Sequence, residues 1–328
     1  MANGFVDRRR FLTQTAKAVA GVALSDWGLS VKAATEQAAS GARDLTVIDA
    51  HTHFYDPTRA QGVPWPPRDD KLLYRTVLPR DYRAARLPVT VTGTVVVEAS
   101  DWVEDNQWVL DVATHDPFIA GFVGNLPAGT DAFAGLLKRF AANKLFRGIR
   151  VRERKLEGTT DASAYTRDLK LLADNDLSLD LVGGMEILLF ASRLSKEMPG
   201  LRIIVDHLAG LMVDGKAAPA DWAKQMNKLA SRPNIFCKVS GLVEGTGKGD
   251  GSAPRDTGFY RPVLDAMRGM FGSQRLIYAS NWPVSERFAP LATVQGIVED
   301  YFHGYGRREE EQVFSKSAAV AYRWVKRS

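Results

Sequence analysis

The stretch LTVIDAHTHFYDP, residues 45–57, is an apolar run that ends in two histidines one residue apart. A continuous apolar segment this short reads as a strand buried on both faces, the kind found in parallel sheets. On a strand, residues two apart point the same way. His51 and His53 therefore share a face and can aim at one point as the strand leaves the core. Asp49 has the same parity one layer deeper, where it either orients a histidine or serves as a hydrogen-bonded core carboxylate.

Seven more runs of this kind follow, at 93–99, 118–124, 146–151, 177–183, 201–207, 234–240 and 275–280. Between them lie stretches of helical period, among them NQWVLDVATHD (106–116), MEILLFASRLSKEMPG (185–200) with its Pro-Gly stop, and ADWAKQMNKLASRP (220–233). Eight strands, each followed by a helix, make an α/β fold, a single-domain (β/α)8 TIM barrel over residues 44–328. An open doubly wound sheet is the alternative, but no Gly-rich dinucleotide loop follows the first strand. A chain of 328 residues suits one such barrel, and its 45% hydrophobic and 25% charged residues are an ordinary globular balance.

Two connections are long, and both leave the C-terminal ends of strands, where barrels carry their active sites. Residues 54–78 contain four prolines and Trp65 and read as a lid or pocket wall. Residues 244–257, EGTGKGDGSAPRDT, read as a flexible solvated loop. GTGKGDG is not a phosphate loop, because Lys248 is followed by Gly249 and the upstream glycine spacing is missing.

The first 33 residues stand apart from the barrel. DRRRFLTQTAKAVAGVALS (7–25) has paired arginines, then Phe11 and Leu12, then a weakly apolar Ala/Gly stretch, and VKA precedes Ala34. This resembles a twin-arginine signal peptide with a small-residue cleavage site, followed by a polar linker over 34–43. It implies the twin-arginine export machinery as a partner and a periplasmic or secreted location. Lys17 interrupts the apolar stretch, so no permanent membrane anchor is expected. Losing five basic and two acidic residues with the signal takes the formal charge from +5 to +2. The remainder is nearly neutral, and no basic stripe with interleaved aromatics points to nucleic acid. The one cysteine, Cys237, excludes a disulfide framework and a cysteine metal site and is expected buried in its strand.

Polar residues stand at nearly every strand end, which a purely structural barrel does not need. The second strand offers Glu98, the fourth Arg150 and Arg152, the fifth Asp180, the sixth Asp206 and His207, the seventh Lys238 and Ser240, and the eighth Asn281. Planar guanidinium groups grip carboxylates, so Arg150 and Arg152 point to an anionic small-molecule substrate. Glu98 and Lys238 join them as substrate-binding candidates. Trp65 and Trp282 either stack on a substrate ring or pack as wall. His115 and His303 fall in or beside helices and read as surface or packing residues.

Together, DAHTHFYDP, GIRVRER, IVDHLAG, CKVSGL and YASNWPV resemble the amidohydrolase family of TIM-barrel hydrolases, in the branch of sugar-lactone and dicarboxylate-lactone hydrolases. The resemblance covers roughly residues 44–325. It implies hydrolysis of a small cyclic ester by water, activated by an aspartate on the last strand. It also implies that His51 and His53 line the site, His207 polarises the carbonyl and Arg150 holds a substrate carboxylate. Metal-using members add a histidine on the fifth strand and an aspartate on the eighth. Here LSLDLVG has no histidine, and the eighth strand offers Asn281. His51, His53 and His207 could still hold a divalent ion such as zinc, but without an anionic ligand no metal is expected to be required. The histidines are then expected to hold substrate.

Asn281 is the difficulty, since an amide cannot take a proton from water near neutral pH. Either Asp180 or Glu98 is the base while Asn281 orients the water, or a metal held by the histidines lowers the water pKa. The remaining possibilities are a zinc-dependent amidohydrolase or decarboxylase of the same fold, and a degenerate barrel that only binds small acids.

Overall fold

Each of the eight apolar runs becomes a parallel strand: β1 (Ile48–Thr52), β2 (Gly93–Val97), β3 (Ile119–Gly124), β4 (Phe146–Arg152), β5 (Ser178–Val182), β6 (Arg202–Val205), β7 (Ile235–Val239) and β8 (Leu276–Tyr278). The computed structural model describes Met1 and residues 45–153 and 162–327. Apart from Met1, the expected signal peptide and linker, residues 1–33 and 34–43, lie outside the described residues. The strands pair in sequence order from β1 to β8. The helices that follow them in turn are α1 (Pro79–Arg83), α2 (Asp105–His115), α3 (Phe133–Ala141), α4 (Ala162–Asp174), α5 (Met185–Glu197), α6 (Ala220–Ala230), α7 (Thr257–Phe271) and α8 (Leu291–His303). In α6, for example, Trp222, Met226 and Leu229 recur at helical spacing and are the buried face. Full burial of such a side chain contributes roughly 1.5–3 kcal/mol.

The sheet comes back on itself as a nearly closed barrel. Thr52 bridges Trp282, and the His53 amide donates to the Trp282 carbonyl at 2.9 Å. The Asp49 carboxylate accepts from the Ser280 amide at 2.9 Å, so the first and last strands are stitched at the level of the histidine pair.

The register of β1 against β2 shifts between Asp49 and Thr52, and the alternation shifts with it. Ile48 and Ala50 belong to the interior cluster with Val95, Ile204, Phe236 and Ile277. Asp49 instead receives the Tyr82 hydroxyl of α1 at 2.8 Å. Yet His51, two positions on, reaches Lys238 of β7 inside the barrel. The shared parity expected of Asp49 and His51 is broken by this irregularity, which re-aims the histidine as a bulge does. Asp49 serves as a core carboxylate, fully buried and bonded to Tyr82, Ser280 and the His51 amide. Burial pushes its carboxyl up.

The chain ends under the barrel. After α9 (Arg307–Glu311) and a π-helical turn, Gln312–Lys316, α10 (Ser317–Tyr322) places Ala318, Ala321 and Tyr322 in the interior cluster. Arg147 and Arg202 donate to the carbonyls of Tyr322 and Ala321 at 2.7 and 2.8 Å. The Val325 amide donates to the Ala120 carbonyl at 2.7 Å.

Candidate active site

Three imidazoles meet at the C-terminal end of the barrel. The rings of His51 and His207 lie 4.4 Å apart between centroids, and those of His51 and His53 lie 4.9 Å apart. His207 begins a tight turn after β6 in which His207, Leu208 and Ala209 all take left-handed backbone, φ 49, 53 and 53°. Such conformations cost about 1 kcal/mol or more each for residues with a Cβ. The turn is held by burial of Leu208 and Ala209 and by the Trp222 indole, which donates to the Leu208 carbonyl at 2.9 Å. Gly241, just past β7, lies flat against it: a Cβ at Gly241 would stand 2.7 Å from the His207 Cβ.

Hydrogen bonds fix the rings. His53 Nδ1 donates to the Val97 carbonyl at 2.9 Å, which leaves Nε2 as its acceptor atom when neutral. The Lys238 ammonium lies 2.9 Å from His51 Nδ1 and the Arg150 guanidinium 3.4 Å from its Nε2, so both ring nitrogens of His51 face cationic donors. His207 Nδ1 pairs with the Ser240 hydroxyl at 2.9 Å. Burial, and then the neighbouring cations, hold His51 and His53 well below the ordinary imidazole range. His207 is lowered to about 4, with burial again foremost. All three are uncharged near neutral pH.

The polar groups beneath them depart from the sequence expectations. Lys238, expected to bind substrate, is fully buried; its Nζ lies 2.6 Å from Asp180 and 2.9 Å from Asp206. Asp180, expected as a base, is also fully buried, between Lys238 and the Tyr322 hydroxyl that rises from α10. Burial raises its carboxyl to about 6 despite Lys238. Both of these contacts, from Lys238 and Tyr322, fall on Oδ2, while Oδ1 is buried with no hydrogen-bond partner among the described residues; the structure sets Asp180 in an ion pair with Lys238. Trp282, expected as a stacking surface, is 2% exposed; its indole donates to Glu286 at 2.6 Å, and Tyr82 and Phe54 pack on it. It is wall, whereas Trp65 stands 6.0 Å from the His53 ring.

Glu98 occupies both arginines. Arg150 Nε donates to it at 2.8 Å, and Arg152 Nη2 reaches its two oxygens at 2.8 and 3.0 Å. Arg150 Nη1 also lies 3.4 Å from His51 Nε2. Glu98 is thus the internal carboxylate of a guanidinium pair beside the histidines. His115 and His303 are exposed on helix ends, as expected, and His303 pairs with Glu310 at 2.7 Å.

One residue was missed by sequence reasoning. Glu244, the first residue of the supposed solvated loop, turns inward in the short turn Glu244–Thr246 and accepts from the Asn281 amide at 2.9 Å. Its Oε2 is buried with no hydrogen-bond partner among the described residues. Burial pushes the carboxyl up to about 7 even though Asn281 pulls the other way. Its glycine-rich surroundings gave no sign of burial. Asn281, itself in left-handed backbone at φ 57°, was the only pointer to its partner.

His51, Asp206 and His207 place one possible ligand atom each within 4.8 Å of one another. Asp206 is fully buried. Burial opposes its ionisation, but Lys238 and then His51 outweigh it and hold the carboxyl well below its usual range. Among the described residues neither carboxylate oxygen has an aligned hydrogen-bond donor, although Lys238 is close to Oδ1 as an ion pair. Two imidazoles and an unsatisfied carboxylate fit a divalent ion such as zinc. Asp206 would supply the anionic ligand thought missing, beside His51 and His207, in a group that does not include His53.

A parallel barrel with histidines and a carboxylate converging at its mouth is the layout of a barrel hydrolase. The sequence pattern of the amidohydrolases matches residues 48–324, and the chain belongs to that family. It is 32% identical over 241 residues to an L-fucono-1,5-lactonase of Burkholderia ambifaria, covering 73% of this chain and 80% of the relative. The fold matches an amidohydrolase of Burkholderia multivorans in two crystal forms. The form with bound HEPES gives a TM-score of 0.74 at 23% identity, and the form with bound zinc 0.72 at 24%, each over 85% of this chain and 99% of the other.

Proposed function

We propose that this protein hydrolyses a small lactone with water. The observation that carries the proposal is the cluster of uncharged His51, His53 and His207 at the barrel mouth, in a chain whose curated relative is a sugar lactonase. A lactone carbonyl seated against the cluster takes a hydrogen bond from His207 Nε2, whose other ring nitrogen pairs with the Ser240 hydroxyl. As water attacks the carbonyl carbon, negative charge gathers on the carbonyl oxygen, and preorganised donors in a dry site stabilise it. The ring C–O bond then breaks, and the ring oxygen leaves as a hydroxyl, giving an open hydroxy acid.

The substrate is anionic or acid-forming in this reading. Arg152, with about a quarter of its side chain exposed, can turn from Glu98 to a substrate carboxylate while Arg150 stays buried on Glu98. Trp65, 6.0 Å from the His53 ring, offers an aromatic face to a sugar or pyrone ring.

A divalent ion held by His51, Asp206 and His207 would polarise the carbonyl and lower the pKa of a bound water. A second reading, without an ion, is favoured by Lys238: its ammonium already sits 2.9 Å from both His51 Nδ1 and Asp206 Oδ1, where it neutralises the same carboxylate. Hydrolysis of a panel of aldono-1,4- and aldono-1,5-lactones and 2-pyrone dicarboxylates, with and without chelator and alongside metal analysis, separates these readings. Turnover lost to chelator and restored by zinc supports the ion, and undiminished turnover supports the lysine. Saturable binding without turnover across the panel would leave a small-acid-binding barrel in place of a hydrolase.

The same proposal places the enzyme outside the cytoplasm, carried there folded by the twin-arginine machinery that Arg8 and Arg9 address. Arg8→Lys with Arg9→Lys is expected to retain the protein in the cytoplasmic fraction with an uncleaved N-terminus. Unchanged fractionation of that variant would remove the export assignment.

A further inference from the structure

Lactone opening releases a proton from water, and Asn281 stands where the family resemblance implied an aspartate to take it. We propose that Glu244 is the general base of this enzyme, held in place by Asn281. This rests on the lactonase reading above.

Geometry carries the argument. Glu244 starts the turn after β7 that is pinned on both sides: the Gly245 amide donates to Gly241 at 2.9 Å, and the Val213 amide donates to Gly245 at 2.8 Å. Gly241 is the residue packed on His207. Asn281 precedes Trp282, whose carbonyl receives the His53 amide. The Glu244–Asn281 pair therefore bridges the strand ends that flank His207 and His53. One oxygen of Glu244 is committed to the Asn281 amide, and the other is buried with no partner among the described residues. Leaving a buried acceptor unmatched costs about 1–3 kcal/mol. Asp180 and Asp206 also hold unmatched oxygens, but both carboxylates are ion-paired with Lys238; Glu244 has no such ion pair among the described residues, and its Oε2 is the atom prepared to receive the reacting water.

The groups facing Glu244 agree with this role. Asn281 comes from the end of β8, the Tyr260 phenol of α7 lies close enough to feel its charge, and Gly245 packs on Leu211 and Val213 of the loop after β6. Burial in this setting puts the carboxyl at about 7, near the value that suits a base at neutral pH. An aspartate at 281 would set two carboxylates in contact, and only one of such a pair ionises readily. The amide at 281 and the acid at 244 thus form one unit: the basic group has moved to the neighbouring loop, and the old position now holds it.

The proton balance is complete. Water oxygen bonds to the carbonyl carbon, its proton passes to Glu244 Oε2, the ring C–O bond breaks, and Glu244 returns the proton to the departing ring oxygen.

The test uses the full chain, its Glu244→Gln and Asn281→Asp variants, and whichever lactone of the panel the wild type opens fastest. Glu244→Gln is expected to lower kcat about a hundredfold or more, with KM little changed. It should also abolish the rise of kcat with pH centred near 7 in the wild type, a readout that a merely structural role would not move. Asn281→Asp is expected to lower kcat at neutral pH and shift that rise to higher pH. Full activity with the rise intact in Glu244→Gln, or a gain in kcat in Asn281→Asp, would overturn the assignment while leaving the lactonase reading standing. A wild type that opens no lactone in the panel would end both.

Discussion

Lys238 and Glu244 show opposite ways of placing a charge inside a protein. Lys238 is fully buried against Asp180, Asp206 and His51. Removing one partner of a buried ion pair leaves the rest uncompensated and costs about 3–5 kcal/mol. Lys238→Met is therefore expected to lower the unfolding free energy by about that amount in urea titration. Adding Asp180→Asn should restore part of it, which an effect of volume alone would not do. Glu244 has no such cation among the described residues. Its folded value near 7 lies above the ordinary 4.5, so between those values the unfolded chain has released its proton and the folded chain has not. Its contribution to stability is fully present below about 4.5 and is lost as pH rises through about 7. The size is roughly 3 kcal/mol by linkage. Glu244→Gln should flatten that part of the stability–pH curve relative to wild type, and identical curves would show that the carboxyl is not protonated in the folded state. Neither residue's setting was legible in the sequence. Strand-end parity identifies which way Lys238 and Asp180 point but not their depth, and Glu244 was hidden by the glycine, lysine and serine around it.

At the scale of elements, the strands were legible because parallel strands buried on both faces must be continuous apolar runs. All eight begin within the stretches that the sequence marks, and none runs more than one residue past its end. The convergence of His51, His53 and His207 followed from their place at strand ends. What sequence could not carry was local irregularity. The register shift in β1 separates Asp49 from the histidines it seemed to accompany, and the left-handed turn at His207 directs a ring that a regular strand would aim elsewhere. The long loop after β1 was read as a wall, and the structure ties it down at two points: Arg75 to Glu286 at 2.5 Å, and Arg287 to Asp70. These pairs are partly exposed and contribute little to stability, about 1 kcal/mol or less each. They hold the wall that carries Trp65. Arg75→Ala with Arg287→Ala is expected to raise KM several-fold, with the thermal transition nearly unmoved and the loop cut faster by protease. An unchanged KM would mean that the loop does not shape the substrate site.

At the scale of the whole molecule, the barrel is a cylinder with chemistry at one end and α10 at the other. Tyr322 joins the two, since its ring lies in the interior cluster and its hydroxyl donates to Asp180 at 2.9 Å, beneath Lys238. Tyr322→Phe removes a bond to a charged acceptor and should cost about 1.5–3 kcal/mol without changing KM. Removing residues 317–328 opens the interior cluster to water and is expected to abolish the cooperative thermal transition. A truncated chain that still melts cooperatively would show that the barrel stands without its base. This arrangement also sets a timetable. Residues 318–322 are made after all eight strands, so the barrel cannot shut around Ile48 and Ala50 until that segment has cleared the ribosome. Strands made early wait with that end open to water, and the arrival of Tyr322 closes it.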